Sequence, residues 1–275
     1  MFVTRFAPSP TGYLHKGHAF SALTARAAAH EAGGRFLLRI EDIDATRCRP
    51  EYDAAIFEDL AWIGLDWETP VRRQSEHMAD YDAALVKLNA MGVLYRCFRT
   101  RSELQNESVS APHGPMEAFR GEPLPPEEEI RRLVAGESFA WRLSLSRAEA
   151  LLGGFGGLTF LMEDQGRIQA RPEIGGDVVL ARKDVRTSYH LASVVDDALQ
   201  GVTHVIRGTD LEDAPHVHRL LQALLGLPTP IYRHHRLLVG ADGKRLAKRD
   251  KSETLRALRE GGLEAAALRR ELGFE

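Results

Sequence analysis

An α/β fold on a parallel sheet is predicted by three features of the sequence. Phe2, Val3 and Phe6 form a short apolar run that enters a turn marked by Pro8, Pro10 and Gly12, and an Ala-rich segment from Ala19 to His30 follows. Gly33-Gly34 ends that segment, and Arg35 to Glu41 (R-F-L-L-R-I-E) reads as a buried second strand. Strand, helix and strand within about 40 residues is the crossover unit of a parallel, Rossmann-type sheet. The third feature is a helix followed by a strand late in the chain: apolar periodicity over Leu191 to Leu199, a stop at Gly201, then the β-branched run Val202 to Ile206.

The remaining elements follow in order. Pro50 to Ile63 is amphipathic and stops at Gly64, and Arg73-Gln74-Ser75-Glu76 opens a helix over Tyr81 to Met91, ended by Gly92. Gln105 to Pro126 is rich in Ser, Pro, Gly and Glu without a steady period and reads as a long loop. Helix returns at Glu127 to Ala135, and Phe139 to Leu145 and Gly176 to Arg182 read as strands. Gly153-Gly154 and Gly156-Gly157 lack the lysine of a P-loop and read as turns. A helix over Ala214 to Leu225, a strand over Ile231 to Val239 and two short helices within 250–275 complete the chain. Trp62, Trp67 and Trp141 are read as core.

Composition bounds the function. At 275 residues the chain can bury one substantial core and carry an insertion. Its 44% hydrophobic and 27% charged residues are those of an ordinary globular protein. No apolar run approaches the roughly 18 residues of a membrane span, and residues 1–17 lack a signal peptide's apolar stretch, so a cytoplasmic protein with no membrane partner is expected. Cys48 and Cys97 cannot form a disulfide framework or a four-thiolate metal site. A net charge of −3 gives no global attraction to nucleic acid, so any RNA contact relies on local basic patches.

Four stretches carry chemistry. In R-F-A-P-S-P-T-G-Y-L-H-K-G-H, from Arg5 to His18, the turn brings backbone N–H groups and the positive end of a helix dipole to one point, a seat for phosphate beside His15 and His18. Gly17 has no Cβ and lets a flat ring or a phosphate approach the backbone. Read alone, H-x-G-H also fits a surface turn with two solvated histidines. I-E-D-I-D-A-T-R, from Ile40 to Arg47, puts three carboxylates at the carboxyl end of a strand, the edge where parallel sheets bind ligands, or else forms a solvated acidic turn. Arg207-Gly208-Thr209-Asp210 directly follows the late strand, where a lone Arg is ordinarily a surface ion-pair partner. G-A-D-G-K-R-L-A-K-R, from Gly240 to Arg249, reads as a basic loop.

Together these stretches resemble the class I aminoacyl-tRNA synthetases, and specifically their glutamyl branch, over almost the whole chain. The resemblance implies a Rossmann-type catalytic domain in two halves, 1–91 and 186–239. An inserted, strand-rich acceptor-binding-like subdomain lies at 92–185, and a KMSKS-like loop with a short helical tail at 240–275. It implies that Arg5, Ala7, Ser9, Glu41, Tyr189 and Arg207 bind L-glutamate. Glu41 takes the ammonium group and Arg207 the side-chain carboxylate, while Asp42 and Asp44 fix their loop; Arg5 and Arg207 with Glu41 would match the two anionic groups and one cation of glutamate. It implies that His15, Gly17, His18, Gly208, Asp210, Arg245 and Lys248 bind ATP with Mg²⁺, and that His15, His18 and Lys248 stabilise charge during adenylation. Lys16 occupies a usually apolar position and is expected to point away from the nucleotide, and Ala247 replaces a serine.

Relatives carry a zinc site of which only Cys97 is kept here, with Arg99, Phe119 and Pro123 at the other positions. One thiolate cannot hold structural zinc, so none is expected, and Cys97 reads as a small buried hydrophobe. The brevity of the tail leaves no room for an anticodon-binding domain, which resembles the truncated paralogues that transfer glutamate to the queuosine of tRNA(Asp). A monomer is expected. A glutamyl-tRNA synthetase fragment acting on tRNA(Glu), or a non-catalytic tRNA-binding paralogue, are the competing readings.

Overall fold

The strand-helix-strand unit read from the amino terminus forms β1 (Val3–Phe6), α1 (Lys16–Glu31) and β2 (Arg35–Ile40) in the computed structural model, which describes residues 1–99, 103, 118–182, 185–238 and 253–274. β1 and β2 pair in parallel from Val3 opposite Arg35 to Phe6 opposite Leu38. The return from α1 is tight: a Cβ on Gly34 would lie 2.4 Å from the Phe2 carbonyl oxygen, so only glycine fits there. α2 (Pro50–Trp62) begins with Pro at its first position, and β3 (Arg72–Arg73) adds in parallel to β2 before α3 (Met78–Ala90).

The middle of the chain supplies β4 (Leu94–Cys97), α4 (Pro126–Val134), β5 (Ala140–Leu143), α5 (Leu145–Leu152), β6 (Thr159–Met162), β7 (Gly166–Gln169) and β8 (Val179–Arg182). It contributes to two sheets. β4, β5 and β8 form a separate antiparallel sheet, whereas β6 pairs in parallel with the late strand β10 (Ile231–His235), and β7 pairs with β6. The hairpin at 159–169 therefore belongs to the main sheet, although it falls inside the insertion expected at 92–185. The loop expected over 105–126 lies, up to residue 117, outside the described residues.

α6 (Tyr189–Leu199), β9 (His204–Gly208) and α7 (Ala214–Leu225) precede β10, which pairs in parallel with β9 and ends at His235, four residues before the expected strand end. The two parallel ribbons meet at β1 and β9. Thr203 N donates to the Val3 carbonyl at 2.9 Å, and Val3 N donates to Thr203 Oγ1 at 2.9 Å. Alternating strand residues bury on opposite faces. Leu37 and Val205 pack with residues of α3, α6 and α7; Phe36, Leu38 and Ile206 pack with α1, α2, α8 (Leu255–Glu260) and α9 (Ala265–Glu271). The carboxyl ends of β1 and β9 thus form the crevice at which such sheets bind ligands. Among the described residues no helix is long and apolar enough to cross a membrane.

Candidate active site

A cavity of about 300 Å³ opens between the carboxyl ends of β1 and β9 and the amino end of α1. Arg5, Ala7, Ser9, His15, Gly17, His18, Glu41, Tyr189, Arg207, Gly208 and Asp210 all line it. Eleven residues expected from the sequence, spread over 200 positions, are thereby brought to one place. Arg245 and Lys248 lie outside the described residues, but the chain on either side of them reaches this cavity. Leu237 and Leu238 line it, Leu255 N donates to the Leu14 carbonyl at 2.8 Å, and Thr254 bridges to His15.

The two histidines close the first turn of α1 reciprocally. His15 Nδ1 accepts from Gly17 N at 3.1 Å and His18 Nδ1 accepts from His15 N at 3.1 Å, with ring centroids 3.9 Å apart. With both Nδ1 atoms accepting, each neutral ring carries its proton on Nε2. A Cβ on Gly17 would lie 2.9 Å from His15 Cε1. The ring that glycine admits is therefore the protein's own imidazole. Lys16 Nζ pairs with Glu271 at 2.6 Å and does not line the cavity.

Arg5 and Glu41 belong to a closed network that the sequence did not reveal. Arg5 Nε donates to Asp197 Oδ1 at 3.0 Å. Arg39, fully buried, donates to Asp197 Oδ1 at 2.7 Å and to Glu41 Oε1 at 2.9 Å, and its Nε lies 3.7 Å from Asp196. Asp196 also accepts from Arg72 at 2.7 Å, Gln74 at 2.8 Å and Tyr81 at 2.9 Å. Arg5, Arg39 and Arg72 thus meet Asp196, Asp197 and Glu41, and Arg72 also donates to Asp80 at 2.6 Å at the edge of the network. Burial pushes the Asp197 carboxyl up, but Arg5 and Arg39 together hold it below the usual carboxylate range. Burial pushes Glu41 up, opposed by Arg39, with a net rise. Arg5 cannot supply half of the positive charge for a dianion, because its own charge is already neutralised. Asp42 and Asp44 accept from Ser75 and from Thr46 and Arg47, which fixes their loop.

Arg207 is treated differently. It is 5% exposed, yet its partners are neutral: Nη1 donates to the Tyr189 hydroxyl at 2.8 Å, Nε donates to His234 Nε2 at 3.1 Å, and the Tyr232 ring lies 5.6 Å away. Nη2 is buried with no partner among the described residues, and no carboxylate there pairs with the guanidinium. Burial, aided by the charge of Arg207, holds His190 and His234 down to about 4 and His218 well below its ordinary value, so the surrounding imidazoles are neutral near pH 7. An uncompensated buried guanidinium is unfavourable unless an anion completes it.

A second cavity of about 580 Å³ shares Ser9, Glu41 and Tyr189 with the first and is lined by Arg47, Arg99, Arg142 and Arg182. Cys97 is buried, and Arg99, Phe119 and Pro123 border a third cavity with it. These four positions offer one sulfur donor, where structural zinc takes four ligands. The guanidinium of Arg142 covers the Phe119 ring at 4.5 Å, and that of Arg96 covers Trp141 at 4.5 Å.

Comparison with known proteins decides the family. The family model for class I tRNA synthetases (E and Q), catalytic domain, matches residues 1–273. The chain belongs to this synthetase family. It is 43% identical over 292 aligned residues to a glutamyl-Q tRNA(Asp) synthetase of Rhodobacter capsulatus, covering 99% of this chain and 100% of the relative. It is 42% identical to a glutamyl-Q tRNA(Asp) synthetase of Symbiobacterium thermophilum, covering 95% and 82%. A crystal structure of a glutamate tRNA ligase from Elizabethkingia meningosepticum in complex with its amino acid superposes with a TM-score of 0.75 at 30% identity, over 90% of this chain and 52% of that one. The synthetase family is thus an ATP-using ligase family, with the class I α/β fold read from the sequence. Behind the lining of this synthetase cavity, the residues missed were Arg39, Asp196, Asp197 and His234, which hold Arg5, Glu41 and Arg207. Their signal was an Arg inside an apolar strand and two Asp inside an apolar helix, charges that have to find one another when buried.

Proposed function

We propose that this synthetase activates L-glutamate with MgATP to glutamyl-adenylate and transfers the glutamyl group to the queuosine of tRNA(Asp). The observation that carries the glutamate half is the uncompensated Arg207. L-Glutamate has net charge −1, and the cavity holds one buried guanidinium beyond those already paired with carboxylates. The side-chain carboxylate completes Arg207, and Glu41, whose Oε1 is held by Arg39, offers Oε2 to the ammonium group. Ala7, Ser9 and Tyr189 shape the amino acid subsite, and Arg5 contributes hydrogen bonding without net charge.

In the first step an oxygen of the substrate α-carboxylate attacks the α-phosphorus of ATP, and the bond to pyrophosphate breaks. The amino end of α1, the Nε2–H groups of His15 and His18, and Arg245 and Lys248 stabilise the charge on the phosphates, with Gly17, Gly208 and Asp210 lining the nucleotide side. A Cβ on Gly208 would lie 2.5 Å from Asp210 Oδ1, so the glycine keeps that wall open. Mg²⁺ travels with the nucleotide and neutralises its phosphates. In the second step a nucleophilic group of the acceptor attacks the acyl carbon and AMP leaves. The acceptor half rests on the names of the full-length relatives. Residues 92–185, apart from the hairpin at 159–169, would carry the acceptor contacts, and 1–91 and 186–239 with the loop of Arg245 and Lys248 the adenylation chemistry, in a cytoplasmic monomer that holds no structural zinc.

Transfer of labelled glutamate to tRNA(Asp) with queuosine, to the same tRNA without it and to tRNA(Glu) tests this reading. Labelling confined to the queuosine-bearing tRNA is expected. Labelling of tRNA(Glu) alone would replace the acceptor, and none at all would remove the transfer step.

A further inference from the structure

The cation that the cavity leaves uncompensated is held in place by a residue outside the cavity lining. β9 and β10 are in parallel register with His234 directly opposite Arg207, and His234 Nε2 accepts from Arg207 Nε at 3.1 Å. Tyr189 takes one N–H of Nη1 at 2.8 Å from the other side. A guanidinium has five N–H donors in one plane. With the Nε edge occupied by an imidazole and one Nη1 donor by a phenol, the plane is fixed at two points, and the end of the fork, Nη1 and Nη2, is left for a carboxylate.

His234 itself gains little stability from the arrangement. Its Nδ1 is buried with no hydrogen-bond partner among the described residues, and an unmet buried donor of this kind is destabilising. A carboxylate opposite Arg207 would hold the guanidinium more strongly, as Asp197 holds Arg5, but it would cancel the charge. An imidazole kept neutral by burial and by the neighbouring Arg207 orients without cancelling.

We propose that His234 is a positioning residue for the substrate side-chain carboxylate, fixing the plane of the Arg207 guanidinium without supplying a counter-charge. The proposal deepens the glutamate reading above and rests on it. It makes His234 a determinant of glutamate over glutamine, since only a correctly aimed and uncompensated cation separates an anionic side chain from its neutral isostere.

The test is ATP–pyrophosphate exchange by wild type, His234→Leu and His234→Gln, with L-glutamate or L-glutamine as substrate, alongside calorimetric titration of L-glutamate. His234→Leu removes the acceptor. It is expected to raise KM for glutamate roughly ten- to hundredfold, as loss of a hydrogen bond to a charged group does, and to erode the preference over glutamine by a similar factor. KM for ATP and kcat should stay within about twofold, and His234→Gln, which restores an acceptor oxygen, should recover most of the loss. Wild-type constants in His234→Leu would overturn the proposal. So would a parallel rise in KM for both substrates with the preference intact, which is the mark of a structural role. A wild type that binds glutamate but never supports exchange would instead overturn the adenylation reading, and the titrations would still decide the role of His234.

Discussion

Arg5 on β1 and Arg207 on β9 are both 5% exposed and open on the same cavity, yet the fold neutralises one and leaves the other. Arg5 meets Asp197, which Arg39 shares, and the resulting network joins β1, β2 and α6. Arg207 meets only hydroxyl, imidazole and ring. The first arrangement holds geometry, because each buried charge has its counter-charge already in place. The second stores an unmet electrostatic demand, which an anionic ligand satisfies. Two buried arginines about equally legible in sequence thus differ in function through what stands opposite them.

The largest effect should come from opening the closed network. Arg39→Met leaves Asp197 and Glu41 buried with fewer partners and should cost about 3–5 kcal/mol of unfolding free energy by urea titration; a loss under about 1 kcal/mol would mean the network is not the scaffold of the cavity. Next, Arg207→Met should leave the unfolding midpoint unchanged or raise it, since removing an uncompensated buried charge is neutral or stabilising. The same substitution should reduce glutamate activation at least about a hundredfold. A strongly destabilised Arg207→Met would show that the fold, and not the ligand, answers that charge.

A third buried charge extends the comparison to the far side of the sheet. Asp59 on α2 is fully buried, neither carboxylate oxygen has a hydrogen-bond partner among the described residues, and Arg259 approaches only to 3.7 Å. Burial, opposed by Arg259, pushes its carboxyl up to about 6. The folded protein therefore holds a proton between about pH 4 and 6 that the unfolded chain has released. The stabilisation from that proton is full below about 4 and is lost as pH rises through 6. Asp59→Leu should accordingly be more stable than wild type by about 1–3 kcal/mol at pH 8, with the advantage shrinking toward pH 4 in thermal melts. The smallest effect belongs to the half-exposed Lys16–Glu271 pair: Lys16→Leu should change stability by less than about 1 kcal/mol and leave KM for ATP unchanged.

Much of this was legible in the chain. The strand-turn-helix start, the helix at 214–225 and the return strand beside it follow from periodicity and turn residues, and the resemblance placed eleven described residues that converge on one cavity. Two things were not legible. Arg5 looked like a substrate cation because its partner, Asp197, lies 192 positions away, and a strand position gives no sign of which helix covers it. Likewise the hairpin at 159–169 looked like part of the insertion, because sequence proximity to residues 140–143 and 179–182 hides a parallel pairing with 231–232. Both are long-range pairings, which local pattern does not encode.

The most direct test of the central claim is ATP–pyrophosphate exchange by the wild-type protein with L-glutamate and L-glutamine at equal concentration, with and without tRNA(Asp). If the cation of Arg207 is held for an anionic side chain, glutamate should support exchange at least about a hundredfold better than glutamine. Equal exchange with the two, or none with glutamate under either condition, would contradict the account.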